Sequence, residues 1–258
     1  MMSVTVFHSL AGIEEKLDGI FHLAATTSPP QFEDGPLGGF QVNANGTLNA
    51  LEFAKRKKIR RVVLASSSAT YGNSESISRE EIILYVYSSL YPITKIVDEY
   101  LARYYSLRKE VKCISLRYFN TYGIGKNSKA QYASVVWRFI TDLQNGKTSV
   151  IFGNGEQSRD FIYVEDTARA SVLAMQRGIP GELYNIGNGT TTNFIAIYRM
   201  VAEEMHSEVQ ADHISNPLKN YQYFTQTDIT KAGKDLGFEP ELNLRSGIRK
   251  MIAATKSI

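Results

Sequence analysis

The 258-residue sequence predicts an α/β fold, a parallel β-sheet with helices on both faces, followed by a smaller C-terminal lobe. From residue 19 to about residue 117, short apolar segments alternate with longer helical patterns, which is typical of a parallel sheet. After residue 120, glycine and asparagine interrupt the chain repeatedly, which indicates a second lobe. A hydrophobic fraction of 43% is ordinary for a globular protein and suffices for a sizeable core.

Each element follows from its residue pattern. Apolar runs predict sheet strands at residues 19–23, 61–65 and 111–116, with a later strand at 182–186 returning to the sheet. Amphipathic patterns predict helices at residues 43–58, 91–107, 194–205 and 244–254. Before these elements, residues 4–7 read as a strand and residues 13–17 as a short helical patch. We therefore expect a sheet domain at 1–117, completed by the strand at 182–187, and a lobe at 118–258.

Composition and charge exclude several classes of protein. A net charge of +3 and a pI near 8.8 suit a small anionic ligand but are far from a nucleic-acid-binding profile. The sequence shows neither a secretory signal nor an apolar run of about 18 residues, which predicts a cytoplasmic protein without a membrane span. The single cysteine, Cys113, lies in an apolar strand, so we expect a buried, unreactive thiol. The four histidines have no metal-ligand spacing, and His22 is expected to be a hydrogen-bonded structural residue.

One group of polar residues points to chemistry. Ser66, Ser67 and Ser68 follow the strand at residues 61–65, while Tyr91 and Lys95 begin a long helix and share one of its faces. A free tyrosine titrates near ~10, and a lysine ammonium within about 4–6 Å favours the phenolate and lowers that pKa. A serine hydroxyl beside the phenol could hold or relay a substrate proton. The set therefore predicts proton abstraction from a sugar hydroxyl.

Six sequence blocks, taken together, resemble a known family. They are Phe-His-Leu-Ala-Ala at 21–25, Val-Asn-Ala-Asn-Gly-Thr at 42–47, Ala-Ser-Ser-Ser-Ala-Thr-Tyr-Gly at 65–72, Tyr-Pro-Ile-Thr-Lys at 91–95, Arg-Tyr-Phe-Asn at 117–120 and Arg-Asp-Phe-Ile-Tyr-Val at 159–164. In this order they resemble the extended short-chain dehydrogenase/reductase family, and within it the NAD-dependent nucleotide-sugar epimerases. The resemblance implies a Rossmann-like sheet domain that binds NAD and a C-terminal lobe that binds the nucleotide sugar.

The resemblance also implies residue roles. Ser67, Tyr91 and Lys95 would be catalytic, with Lys95 also bound to the nicotinamide ribose. The residues implied to line the cofactor are Leu23, Ala24, Ala25, Asn43, Ser66, Tyr91, Lys95 and Tyr118. The residues implied to contact the substrate are Ser67, Ser68, Asn120, Lys129 and Arg159. Three of these have plainer interpretations: Asn43 as a helix N-cap, Arg159 as the salt-bridge partner of Asp160 or Asp166, and Lys129 as a solvated lysine at a helix start.

The sequence departs from the family pattern at its N-terminus. Family members begin with a strand, a glycine-rich turn and a helix that binds the NAD pyrophosphate, whereas residues 1–20 carry only Gly12 and Gly19. We therefore expect the chain to start near the family's third strand, with the strand at residues 4–7 filling the place beside residues 20–23. The departure leaves a nucleotide-sugar-binding protein without turnover as an alternative to an enzyme.

Among the family's reactions, the resemblance favours epimerisation. Dehydratases and decarboxylases of the family carry an acid/base residue, typically glutamate, just after the catalytic serine or threonine, where this chain has Ser68 and Ala69. The resemblance is strongest to UDP-glucose/UDP-galactose 4-epimerases. An ADP-glycero-manno-heptose 6-epimerase is the alternative, because residues 117–135 also match that subgroup, with Lys129 at its second catalytic lysine. A homodimer formed through helices near 41–57 and 91–107 is expected on the same basis.

Overall fold

The computed structural model describes residues 12–27, 32, 35–82, 89–124, 134–217 and 221–255. Within these residues the main sheet has four parallel strands, which are β1 (Gly19–His22), β2 (Arg61–Ser67), β3 (Lys112–Tyr118) and β8 (Leu183–Ile186). Their spatial order is β1-β2-β3-β8. In register, Ser66 lies beside Arg117 and Ser67 beside Tyr118, so the serine block ends next to the end of β3.

Helices cover both faces of this sheet. A nearly continuous helical segment comprises α1 (Pro36–Phe40), a π-helical turn (Gln41–Asn45) and α2 (Gly46–Arg56). The other helices are α3 (Leu90–Arg108), α4 (Val135–Gln144), α5 (Val164–Arg177), α6 (Phe194–Met205), α7 (Thr230–Leu236) and α8 (Leu244–Thr255). On one face, α2 and α3 bury apolar side chains such as Leu51 and Ala102 against β2 and β3. On the other face, α5 buries Ala170 against β2 and β3, and α7 buries Leu236 against α5 and β8.

The second lobe has a core of its own. Helices α4, α6 and α8 pack together around buried side chains that include Phe139, Val201 and Met251. Short strand pairs complete the lobe: β4 (Asn120–Tyr122) with β7 (Phe161–Tyr163), β5 (Val150–Phe152) with β10 (Asp212–Ile214), and β6 (Ser158–Arg159) with β9 (Thr192–Asn193). No helix in the described ranges is long and apolar enough to span a bilayer.

The predicted fold class is confirmed, with corrections to individual elements. The strands and long helices lie within a few residues of the predicted positions, and β8 does return to pair with β3. Residues 13–17 are wrong as a helix, because Ile13 and Leu17 instead pack irregularly against the core beneath α2. The helix expected from residue 43 begins at Pro36, so Asn43 lies inside a helical segment and is not an N-cap. The strand expected at residues 4–7 lies outside the described residues.

Candidate active site

The carboxyl ends of β1, β2 and β3 meet at one edge of the sheet and open into a cavity of about 640 Å³. Ligands of open parallel sheets bind at this edge. The N-terminal part of α3 closes one side of the cavity and α5 another. The lining residues are Leu23, Ala25, Thr27, Ala65, Ser66, Ser67, Ser68, Tyr91, Lys95, Tyr118, Phe119, Asn120, Thr121, Val164, Thr167, Ala168 and Ser171. Most residues predicted for the site are therefore brought together.

Ser67 and Tyr91 form the polar centre of this cavity. Ser67 ends β2 and caps the 3₁₀ turn Ser68–Tyr71, with its Oγ accepting the Ala69 N–H at 3.2 Å. The Tyr91 phenol lies beside the Ser67 side chain, which lowers the pKa of the phenol, and the Tyr91 ring packs against that of Phe32 with 5.9 Å between centroids. Tyr91 is only 8% exposed, so its hydroxyl faces the cavity rather than bulk solvent. The pair is placed to share a proton with a bound hydroxyl.

Lys95 is held by two acceptors. Its Nζ donates to the Ala65 carbonyl at 3.0 Å and to Asp98 Oδ2 at 3.1 Å, and both charged side chains are more than 95% buried. The expectation that Lys95 lowers the pKa of Tyr91 is wrong for this arrangement. Burial raises the pKa of Tyr91 and the Asp98 carboxylate adds to the increase, whereas the neighbouring Ser67 side chain lowers the pKa. The physical reason is that Asp98 neutralises the ammonium charge that was expected to stabilise the phenolate.

Asn43 fastens the loop after β1 to the helix that carries Tyr91. Its Oδ1 accepts the Thr26 N–H at 2.8 Å, and its Nδ2 donates to the Thr26 carbonyl at 3.0 Å and to Thr94 Oγ1 at 2.9 Å. Thr94 in turn donates to the Tyr91 carbonyl at 2.7 Å. Both Nδ2 hydrogens are thus used within the protein. The predicted cofactor role of Asn43 becomes one of positioning the cofactor-side loop relative to Tyr91.

Ser66 lines the cavity, but its hydroxyl points to a buried ion pair. Ser66 Oγ donates to Glu99 Oε1 at 2.5 Å, and Arg117 donates to both oxygens of Glu99 at 2.8 Å. The Arg117 guanidinium also lies 4.6 Å from the centroid of the Tyr71 ring, at the other end of the serine block. Sequence reasoning missed Asp98 and Glu99. The signal for Glu99 is its spacing, four residues after Lys95 and eight after Tyr91, which places it on the same helix face.

Tyr118 and Asn120 occupy the side of the cavity next to the second lobe. The Tyr118 hydroxyl and Ser171 Oγ lie 2.8 Å apart, and burial raises the pKa of Tyr118 to about 12, so the phenol stays neutral. Asn120 Nδ2 donates to the Asp160 carbonyl at 3.0 Å and to Thr225 Oγ1 at 3.1 Å. This leaves Asn120 Oδ1 as the group available to accept a hydrogen bond from a ligand.

Arg159 and Ala24 lie outside the cavity lining. Arg159 is buried in β6, where Tyr221 and Phe194 lie 5.2 and 5.8 Å from its guanidinium and burial lowers its pKa. Neither proposed salt bridge of Arg159 forms: Asp160 accepts three backbone N–H groups, and Asp166 pairs with Arg169. Ala24 is not among the lining residues. Lys129 lies outside the described residues.

Two plainer predictions are confirmed beside the site. His22 Nε2 and Thr47 Oγ1 are 3.1 Å apart, as expected for a structural histidine. Burial and, to a smaller extent, the nearby Lys95 charge together lower the pKa of His22 to about 4, so the ring is neutral at neutral pH. Cys113 is fully buried, and burial raises the pKa of its thiol to about 12, which makes it unreactive.

The lining residues fit the nicotinamide half of NAD. An ammonium has three donors, and with two of them given to Ala65 and Asp98, Lys95 keeps one for a ribose hydroxyl. The small side chains of Ala25 and Ala65 let a planar ring approach the strand ends, and Tyr118 closes the pocket from β3. Lys95, Ala25 and Tyr118 would therefore hold this half of the cofactor.

Comparison with known proteins identifies the family. The profile of the NAD dependent epimerase/dehydratase family matches residues 4–187, which is more than half of the chain. The UDP-glucuronate 4-epimerase of Thermodesulfobacterium geofontis is 28% identical over 257 residues, covering 99% of this chain and 78% of that protein. The ADP-L-glycero-D-manno-heptose-6-epimerase of Brachyspira hyodysenteriae is 28% identical over 244 residues, covering 91% and 74%.

Solved structures agree with this match. The UDP-glucose 4-epimerase of Thermotoga maritima, determined with UDP-glucose, superposes with a TM-score of 0.89 at 27% identity, covering 99% of this chain and 82% of that one. The predicted family and its NAD-dependent type of chemistry are thus confirmed. The chain belongs to the NAD-dependent epimerase/dehydratase family.

Proposed function

We propose that this chain is a nucleotide-sugar epimerase of the UDP-glucose/UDP-galactose 4-epimerase type. The observation that carries the proposal is the convergence of Ser67, Tyr91 and Lys95 on one cavity at the carboxyl edge of the sheet. A phenol beside a serine hydroxyl in one cavity is suited to exchange a proton with a sugar hydroxyl, which is the acid/base step that sugar oxidation requires. The similarity to 4-epimerases supports the same reaction class.

In the proposed mechanism, Ser67 and Tyr91 act on the sugar hydroxyl. Ser67 orients the hydroxyl, and Tyr91 as the phenolate removes its proton while the carbon is oxidised. NAD, when bound, supplies the hydride acceptor and donor. The keto-sugar then rotates in the site so that its other face is reduced. Tyr91 returns the proton to the sugar oxygen. Because the buried phenol holds its proton tightly, phenolate formation limits the rate at low pH.

Residues toward the second lobe would hold the nucleotide diphosphate sugar. Asn120 presents its Oδ1 at the cavity wall, and Ser68 adds a hydroxyl beside Ser67. Arg159 supplies a buried guanidinium, whose planar fork suits phosphate oxygens. A diphosphate beside it would provide the counter-charge that its aromatic neighbours do not.

Two measurements test this function. Purified protein is denatured and the supernatant is assayed for released NAD; separately, conversion of UDP-galactose to UDP-glucose is followed with NAD added. Interconversion of the two sugars is the expected result. Binding of the nucleotide sugar without interconversion would establish the alternative, a binding protein without turnover. Turnover of an ADP-heptose but not of UDP-galactose would establish the 6-epimerase alternative, which rests on Lys129.

We also propose a homodimer formed by α2 and α3. Tyr100, Tyr104 and Leu107 lie on one face of α3 and are 63%, 49% and 68% exposed, and Leu48 of α2 is 37% exposed. Apolar side chains grouped on neighbouring helices are typical of an interface. Light scattering should give a dimer mass that Y104E/L107E reduces to the monomer mass; a monomeric wild-type protein would refute the proposal.

A cytoplasmic location stays a prediction, in keeping with the single buried cysteine.

A further inference from the structure

A buried carboxylate that the mechanism does not use lies beside the catalytic lysine. Asp98 is one helical turn after Lys95 on α3, and its Oδ2 is 3.1 Å from Lys95 Nζ. The two side chains are 3% and 4% exposed, so water hardly screens the pair. Burial of two charges is costly unless they are paired and hydrogen-bonded. The position of Lys95 is therefore determined largely by Asp98 and by the Ala65 carbonyl.

Neighbouring elements supply few other charges to this pair. From α2, the Thr47 side chain lowers the pKa of Asp98; from β1, His22 Nε2 lies 3.1 Å from the Thr47 hydroxyl and is neutral because burial lowers its pKa to about 4. On α3 itself, the Glu99 carboxylate raises the pKa of Asp98, and Glu99 forms an ion pair with Arg117. Among the charges near the Tyr91 phenol, that of Asp98 raises the pKa of Tyr91, and the opposite charge of Lys95 lies 3.1 Å from Asp98 Oδ2.

We propose that Asp98 is a positioning residue that fixes the Lys95 ammonium and cancels its charge, and thereby sets the pH range in which Tyr91 works as a base. The inference deepens the proposed function and rests on it. Tyr91, Lys95 and Asp98 lie at successive turns of one helix, so the three side chains share one face of α3. The direction is consistent with the electrostatics, in which Asp98 raises the pKa of Tyr91.

The consequence is an enzyme whose activity reaches its maximum only at higher pH, because the acidic limb of its pH profile is shifted upward. With the carboxylate removed, the ammonium charge would act on the phenol without opposition, and an unopposed cation within about 4–6 Å lowers a neighbouring pKa by about one unit or more. Each unit corresponds to about a tenfold larger phenolate fraction at a pH well below the midpoint. The Asp98 carboxylate thus fixes the position of Lys95, and it lowers the activity of the enzyme at low pH.

The test is the pH dependence of kcat/KM for UDP-galactose with saturating NAD. Asp98→Asn should move the acidic limb down by about one pH unit and raise activity several-fold at the low end of the range. Asp98→Glu keeps the charge and should keep the wild-type profile. Asp228→Asn is the matched control, because it removes a carboxylate from an ion pair with Arg79 whose arginine is 58% exposed. An unchanged limb in a folded Asp98→Asn protein would overturn the proposal and leave Asp98 with a purely structural role.

A second readout separates this inference from the proposed function. Tyrosinate absorbance is titrated in pairs of proteins with and without Tyr91→Phe, so that the difference reports Tyr91 alone. Asp98→Asn should lower the Tyr91 midpoint even if the wild type turns over no UDP-galactose, and an unchanged midpoint would overturn the proposal. Asp98→Ser, which leaves room for water beside Lys95, serves for both measurements if Asp98→Asn does not fold.

Discussion

Breaking the Arg117–Glu99 pair should destabilise the protein strongly, because it would leave a charge buried without its partner. The two side chains are 6% and 12% exposed, and Arg117 contacts Glu99 through two hydrogen bonds of 2.8 Å. In Arg117→Met, the Glu99 carboxylate would keep only the Ser66 hydroxyl. Removing one partner of a buried pair costs about 3–5 kcal/mol, and the loss of the Tyr71 cation–π contact adds about 0.5–2 kcal/mol. A loss near 4 kcal/mol lowers Tm by about 10 °C in a chain of this size.

Urea unfolding and thermal unfolding, both followed by circular dichroism, measure this effect. Replacing both partners, in Glu99→Gln/Arg117→Met, should recover much of the loss because no unpaired charge remains. Arg79→Met is the control: it breaks the Arg79–Asp228 pair, whose arginine is 58% exposed, and should cost less than about 1 kcal/mol. A cost for Arg117→Met as small as that of the control would refute the argument from burial.

Further predictions concern the loop brace, the neutral histidine and the buried arginine. Asn43→Ala removes three hydrogen bonds and should lower the free energy of unfolding, measured in urea, by about 2–4 kcal/mol. The variant should also bind NAD more weakly in calorimetry. An unchanged NAD affinity would contradict the role of Asn43 at the cofactor-side loop. Burial lowers the pKa of His22 from 6.5 to about 4, so between pH 6.5 and pH 4 the unfolded state binds more protons than the native state. The free energy of unfolding should therefore fall by about 3 kcal/mol as the pH drops through this range. His22→Gln should lack this part of the pH dependence, and identical plots of unfolding free energy against pH for the variant and the wild type would contradict the prediction. Arg159→Met should raise KM for UDP-galactose at least tenfold and change kcat little, whereas an unchanged KM would exclude contact with the diphosphate.

The arrangement of strands was predictable because a parallel sheet needs apolar runs and brings their carboxyl ends to one edge. The runs at β2 and β3 give the start of each strand to within one residue and place the serines at the carboxyl end of β2, although both strands extend two residues beyond their predicted ends. The spacing of Tyr91 and Lys95 gave their common helix face. The return of β8 to the sheet was predicted from its apolar run, whereas its place beside β3 comes from the structure.

The electrostatics of the site could not be predicted from spacing alone. Helical periodicity places Lys95 near Tyr91. It does not reveal that Asp98 is buried against Lys95, or that Glu99 of α3 forms an ion pair with Arg117 of β3. The contacts of Asn43 join residues 17 and 51 positions away, and such contacts depend on tertiary packing. These distant partners decide which side chains remain free for ligands.

The most direct test of the account is the activity of Tyr91→Phe with added NAD. The substitution removes only the phenolic oxygen and keeps the ring that packs against Phe32. Loss of the general base should reduce kcat for UDP-galactose by at least about 10²-fold, with nucleotide-sugar binding changed only slightly. A Tyr91→Phe protein that epimerises at a rate close to the wild type would contradict the assignment of Tyr91 as the proton-transfer residue.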